Sequence, residues 1–425
     1  MAIGSKKKNS APSIVIYVLC AIVVIALAAV LATNFLDRSS LFADEVMKDA
    51  MSSILGKSPR MISEDDLAKV RYLGVNYTKQ DANGNYSVVV RVGYDEAVNV
   101  LLDKTGVYDN EDFEKELKEY TLKTAPITDF SDLKYFTGLK GVFVAAEDLK
   151  DLSVLKDASD LRVIHVAAED LEDITALGGA KELIDVSVQS SALNDISALE
   201  ACTKLNALYV SGTEITDISA LDGKTDLEYL DISGTKVTDL SPISDSINLK
   251  TLVIDKTGIS DISVVGNFTE LTSFTATENE ITDISALASC TKLTALGLSK
   301  NKISDISAIA NLTSITNLDL GTNEIKDISA LSGLTKMVYC YLDENDITDV
   351  SALANMKDVY VLYLTGNDNL TDVSPIQELV DKYESGKGTC YVILPDSAKK
   401  SEEDTSDDTS DDTEGDSESE TEVGE

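Results

Sequence analysis

The chain is expected to fold as an α/β solenoid. A parallel β-sheet lines its concave face, short 3-10 or helical turns line its convex face, and a helical cap covers its N-terminal end. Three observations predict this. A motif of the form Asp-Ile-Ser-x-Leu returns at a fixed interval, each copy carries an alternating apolar pair of strand type, and an amphipathic helical stripe precedes the first copy.

The N-terminal elements come first. Residues 1–12 are basic, with Lys6, Lys7 and Lys8, and residues 13–36 enclose an uncharged run from Ile14 to Ala32. As a helix that run rises about 28 Å, close to the hydrocarbon thickness of a bilayer. With the lysines inside, the run predicts a signal anchor and a single-pass location in the cell membrane with an extracellular C-terminal domain. A cleaved signal peptide, which would make the chain secreted, stays open as the second reading. Residues 37–78 are assigned to the cap, because Val46, Met47, Ala50, Met51, Ile54 and Leu55 form one apolar helical stripe. Residues 79–128 are read as an α+β insertion: an Asn83-Gly84 hairpin turn, a strand from Tyr86 to Val92 and a charged helix around Glu111 to Tyr120.

Repeats with a C-terminal cap are assigned to residues 129–394. Their heading aspartates are Asp129, Asp151, Asp173, Asp195, Asp217, Asp239, Asp261, Asp283, Asp305, Asp327 and Asp349, always 22 residues apart, and Asp372 follows one residue late after Gly366-Asn367-Asp368-Asn369. In the unit from Asp305, Ile315, Leu318, Leu320 and Asn323 fit the consensus L-x-x-L-x-L-x-x-N. Leu318 and Leu320 mark a short strand with one face in the core. The aspartate suits an N-cap for the turn that follows. Asn279, Asn301, Asn323, Asn345 and Asn367 recur at one position and are expected to form a ladder satisfying backbone groups of adjacent coils. One coil cannot bury its own apolar faces, so stacking must close the core.

These motifs resemble the leucine-rich repeat family, specifically the 22-residue class of the bacterial internalins. The resemblance extends upstream, where Leu41 to Lys57 and Ile62 to Leu67 look like the helical cap before internalin repeats. It implies a non-enzymatic binding protein that recognises a protein, or a glycan, on a host or neighbouring cell surface. The sequence departs from the family by the 79–128 insertion and by the lack of an immunoglobulin-like module after the repeats.

Composition restricts the chemistry. With 36 basic and 74 acidic residues, a formal net charge of −38, the chain repels polyanions, so no nucleic-acid partner is expected. One histidine and five scattered cysteines leave little for zinc clusters or His-based triads, and evenly spaced aspartates do not converge in a cleft, so no catalytic residue, metal or cofactor is expected. Asp81, Asn83 and Asn85 have a partial calcium-loop spacing, but Tyr86 and Val92 occupy the places that need Gly and Glu. Cys202 and Cys290 lie four coils apart, about 19 Å, too far to bridge. Buried free thiols are expected, with a Cys340–Cys390 bridge left open. Residues 395–425 are read as an acidic disordered tail, with 13 acidic and no basic residues from Ser401 onward.

Function is therefore sought on the outward strand positions. Tyr339, Tyr341 and Tyr363 fall on adjacent coils as one patch, and Tyr209 and Tyr229 make a smaller one. Asp231, Asp319, His165 and Phe143 complete the candidate contacts, His165 at a position expected to be solvated. Tyrosine gives large contact area with a polar tip at low entropic cost, though it also favours strands in its own right. A passive envelope spacer without a specific ligand is the competing reading, and the oligomeric state is not legible.

Overall fold

A coil's edge carries unpaired N–H and C=O groups, so each strand must find the strand of the next coil. The computed structural model describes residues 44–78, 87–93, 117–122, 130–146, 149–384 and 390–398. Eleven strands come from the coils: β4 Gly141–Ala145, β5 Val163–Ala167, β6 Asp185–Gln189, β7 Ala207–Tyr209, β8 Tyr229–Asp231, β9 Thr251–Val253, β10 Ser273–Thr275, β11 Ala295–Gly297, β12 Asn317–Asp319, β13 Tyr339–Tyr341 and β14 Val361–Tyr363. All pair in parallel in the same register, Leu296 opposite Leu318 and Leu318 opposite Cys340. Each partner is 22 residues on, because a slip of one residue would turn the core side chains outward. The described strands make one fifteen-stranded sheet, with short 3-10 turns such as Ser307–Ile309 returning the chain on the other side.

The turns correct one sequence expectation. The heading aspartate is not the N-cap residue; that place is taken by the next residue, Ile306 in the turn from Ser307. In eleven turns, from Asp151 to Asp372, the carboxylate instead accepts the backbone N–H two residues on, at 2.7 or 2.8 Å. This is an Asx turn, which presets the chain for the 3-10 step. The N–H donated by the following serine lowers the carboxyl pKa of Asp261, Asp305 and Asp327.

The asparagine ladder forms as expected. Asn345 Oδ1 accepts from Ile325 N of the preceding coil at 3.0 Å, and its Nδ2 donates to Leu320 O at 3.0 Å and Leu342 O at 3.2 Å. Asn301, Asn323 and Asn367 repeat the set. The residue before each asparagine is left-handed, with φ of 57° at Lys300, 54° at Thr322 and 53° at Glu344, and glycine fills the same place at Gly366. The core is largely apolar coil after coil, and the repeat position that holds Cys202 and Cys290 is polar in two coils, at Lys224 and Ser246. Lys224 reaches Glu200 O with its Nζ at 2.6 Å, and Ser246 Oγ donates to Lys224 O at 3.0 Å. Burial lowers the Lys224 pKa. Cys202, Cys290, Cys340 and Cys390 are buried free thiols, with that of Cys340 pushed up to about 12 by burial.

The ends differ from expectation. Helix α1, Glu45–Leu55, buries Met47, Ala50 and Met51, and α2, Glu64–Leu67, starts at a capping box between Ser63 and Asp66. Between them Pro59–Met61 is a single 3-10 turn, and the described part of the 37–78 segment ends in a strand. Tyr72–Thr78 forms β1, parallel to β4, and it continues antiparallel into β2, Ser87–Gly93, and β3, Lys118–Leu122. The helix expected around Glu111 to Tyr120 is thereby corrected at Lys118–Tyr120, which is strand, while Glu111 to Glu116 lies outside the described residues, as does the Asn83-Gly84 turn. A strand meander covers the open edge of the first coil because only a strand can pair its backbone groups. At the other end α3, Gln377–Glu384, precedes β15, Tyr391–Ile393, which pairs with β14. Order continues past residue 395: Asp396–Ala398 is a 3-10 turn whose Ser397 Oγ donates to Leu370 O at 2.7 Å. The acidic stretch from Ser401 lies outside the described residues.

The single-pass membrane location is also corrected. Among the described residues no helix is long and apolar enough to cross a membrane. The longest of these helices, α1, has 11 residues, a rise of only about 16 Å against a hydrocarbon core of about 30 Å. The expected 1–12 and 13–36 segments fall outside the described residues, and the expectation of a membrane partner is withdrawn with the location.

Two outcomes test this architecture. Asn345→Ala strands Ile325 N–H in the core and leaves Leu320 C=O with Asn323 Nδ2 alone as its side-chain donor, so it should cost about 1–3 kcal/mol in urea unfolding; a change below about 0.5 kcal/mol would show that the ladder is ornamental. Because the turn aspartates have lowered pKa values, their stabilisation is present above the unfolded carboxyl value of about 3.9 and is lost as pH falls through the folded one. A chain with Asp261, Asp283, Asp305 and Asp327 all changed to Asn keeps the acceptor oxygens without the charge. Its stability should fall less than the wild type's between about pH 5 and pH 2; parallel curves would refute the linkage.

Candidate ligand-binding face

In each three-residue strand the middle side chain enters the core and its two neighbours face the concave side. Leu230, Leu252, Phe274, Leu296, Leu318, Cys340 and Leu362 are the buried middles. The flanks hold the candidate residues. Tyr339 and Tyr341 of β13 are half-buried, and Tyr363 of β14 is 37 % exposed. Tyr341 and Tyr363 stack with ring centroids 5.3 Å apart, and Tyr209 of β7 stacks on Tyr229 of β8 at 4.3 Å. Four of the five tyrosines thus form two stacked pairs separated by β9 to β12, with Tyr339 on the same strand as Tyr341.

The carboxylates lie beside these rings. Asp231 is the register partner of Tyr209, and Asp319 that of Tyr341. Asp231 Oδ1 accepts from Ser233 N at 2.9 Å and Ser233 Oγ at 2.6 Å; Asp319 accepts from Ser299 Oγ at 2.8 Å and Gly321 N at 3.1 Å. Burial raises the Asp231 carboxyl above its ordinary value. The Tyr229 hydroxyl is pushed up to about 12 by burial and then by the Asp231 charge.

Phe143 and His165 do not present a surface, which corrects their inclusion among the contacts. Phe143 is 1 % and His165 3 % exposed. Phe143 is on β4, next to β1, and His165 on β5, one strand further, and the rings join one file: Tyr72 to Phe143 at 5.3 Å, Phe143 to His165 at 4.5 Å, His165 to Tyr209 at 6.4 Å. His165 Nε2 lies 2.9 Å from Asp185 Oδ1, also buried, and beside them Ser187 Oγ is buried with no hydrogen-bond partner among the described residues. The solvated histidine expected from strand alternation is thus an interior one.

Several residues of this face were missed. Asp255 and Asp343 stand two places beyond Asp231 and Asp319 in their own coils, one more step of the same alternation. Asp255 Oδ1 accepts from Thr277 N at 2.6 Å and Oδ2 from Thr275 Oγ1 at 3.2 Å. Tyr360, just before β14, and Tyr391 of β15 meet edge to face at 5.4 Å, and Tyr360 meets Tyr339 at 5.8 Å. Tyr391 follows the chain's departure from the 22-residue register, so no period pointed to it.

A family model for paired leucine-rich repeats matches residues 291–333. The structure also superposes on an internalin (inlF) from Listeria monocytogenes at a TM-score of 0.56 and 26 % identity, covering 72 % of this chain and 94 % of that one. The chain is an internalin-like leucine-rich repeat protein. A second Listeria monocytogenes internalin, C2, matches at 29 % identity over 43 % of this chain and 80 % of its own, with a TM-score of 0.39. A leucine-rich repeat protein of Leptospira interrogans shares the fold, at a TM-score of 0.51 and 15 % identity over 62 % of this chain and 74 % of that one. A search of curated protein sequences finds no match. The matching family model describes a repeat and not a catalytic family.

The internalin-like solenoid thus has two kinds of concave surface, closed beside β4 to β6 and open from β7 onward. If the His165–Asp185 contact is structural, Asp185→Ala should cost about 2 kcal/mol by urea unfolding, since it leaves a buried ring nitrogen without its acceptor. Asp231→Ala, on a half-exposed flank two coils on, should cost less than about 1 kcal/mol. Equal losses would contradict the division of the face.

Proposed function

We propose that the chain binds a protein ligand through the open concave face between β7 and β14. The observation that carries this is the pair of tyrosine stacks, Tyr209 with Tyr229 and Tyr341 with Tyr363, held outward on a sheet whose core is already filled. Large rings fixed by their neighbours lose little entropy on contact, which is the economy of an interface anchor. The resemblance to internalins supports an adhesin-like form of this activity, with the ligand presented on a host or neighbouring cell.

The test is capture of surface proteins from host and bacterial extracts by the full chain, compared with a variant carrying Tyr339→Ala, Tyr341→Ala and Tyr363→Ala and checked for native circular dichroism. Hot-spot tyrosines are worth at least about 2 kcal/mol together, so affinity for the captured protein should fall at least about 30-fold. Unchanged affinity, or no capture by the wild type, would leave the spacer reading in its place.

A further inference from the structure

The open face carries its charge in two matched sets. Asp255 follows Asp231 by one coil and two places, and Asp343 follows Asp319 by the same step. One set adjoins the Tyr209–Tyr229 stack and the other the Tyr341–Tyr363 stack. Between them the flanks of β9, β10 and β11 are Thr251, Val253, Ser273, Thr275, Ala295 and Gly297, none larger than valine. Two walls of aromatic rings and carboxylates therefore border a low floor.

Nothing basic answers this charge. No lysine or arginine occupies a flanking strand position from β7 to β14. Among the described residues the ion pairs use other carboxylates, such as Glu278 with Lys256 and Lys300 on the rim. The four aspartates accept only from hydroxyls and backbone N–H groups. Burial raises the carboxyls of Asp231, Asp255 and Asp343; the Asp231 charge adds to this at Asp255, and the Asp319 charge at Asp343. A cation arriving at either set would relieve that cost, and a guanidinium could both stack on the tyrosines and donate to the carboxylates.

Spacing then fixes the partner's form. Asp231 and Asp319 are four coils apart, about 19 Å at about 4.8 Å per strand. An extended chain advances about 3.4 Å per residue and shows every second side chain on one side, so positions i and i+6 lie about 20 Å apart on the same side. Resting on the binding reading above, we propose that the open face takes an extended basic polypeptide segment and seats two Arg or Lys side chains, six residues apart, one in each tyrosine–aspartate set.

The probe is a fluorescein-labelled Gly/Ser nonapeptide with arginines at i and i+6, compared with an isomer carrying them at i and i+2, each titrated by anisotropy at about 0.15 M salt, where long-range attraction to the acidic chain is screened. The i,i+6 peptide should bind the full chain at least about 10-fold more tightly, the sign of two sites engaged at once. Asp319→Asn with Asp343→Asn should bring it down to the level of the isomer, whereas Asp305→Asn with Asp327→Asn, the same charge change on the convex side, should leave it unaltered. Asparagine keeps an acceptor oxygen at each place, and native circular dichroism is required of both variants. Equal binding of the two isomers, equal loss in the convex control, or no binding overturns the proposal. If the isomers bind equally while the triple tyrosine variant still loses its captured protein, the concave-face reading stands and only the basic partner falls. If the tyrosine variant loses nothing, the binding reading itself fails.

Discussion

Every coil is incomplete until another lies against it. Its strand needs backbone partners on both sides, its apolar interior needs a lid, and its edge carbonyls need donors that the coil does not contain. Parallel pairing in one register supplies the first, and the 22-residue interval follows from it, because side chains return to the core only if each partner lies a whole coil away. The ladder asparagines supply the third need, each spanning two coils with one side chain. The left-handed residue before each asparagine is accepted on the same account: non-glycine residues at φ near 55° carry strain, yet they aim the amide that ties the coils.

The same need explains why the ends are built differently from the middle. A helix cannot hydrogen-bond to a strand edge, so the N-terminal coil is met by β1, and the sheet then turns antiparallel through β2 and β3. At the C-terminal end the insertion after Gly366 breaks the interval, α3 prolongs the short turn Ser374–Ile376, and β15 still returns to pair with β14. The period is given up before the pairing is. That order reflects cost: a departure from repeat length is absorbed in a loop, whereas unpaired buried backbone groups have nowhere to go.

Most of the repeat region was legible because its information is periodic. Strand positions, core residues such as Leu318 and Leu320, the asparagine ladder and the buried thiols all follow from one interval and one alternation. What failed depends on neighbours beyond the interval. Alternation correctly puts Phe143 and His165 on the concave side, but whether a concave position is open or buried is decided by what lies over it, which strand period does not encode. The strand at Tyr72–Thr78 was missed because Val75 and its neighbours lie in a region read for helical periodicity. Lys118–Tyr120 was read as helix on charge pattern alone, although membership of a sheet is set by pairing with β2. Of the face itself, the tyrosine groups were visible as residues on adjacent coils, while Asp255 and Asp343 needed the alternation to be followed one step further.

The charge of the chain also divides by environment. Thirteen acidic residues stand in the stretch from Ser401 to Glu425, and others head the turns, where each carboxylate has a backbone N–H to hold. Exposed glutamates such as Glu182, Glu228 and Glu270 pair with lysines one coil on, contacts that at such exposure contribute little. The concave aspartates fit none of these groups. Asp231, Asp255, Asp319 and Asp343 are half-buried and hold only neutral donors, and the carboxyls of Asp231, Asp255 and Asp343, raised by burial, work against folding at neutral pH. A sheet whose stability is secured by apolar burial and the ladder can tolerate that cost, and strain kept at one place on an otherwise regular scaffold is where a ligand has most to gain.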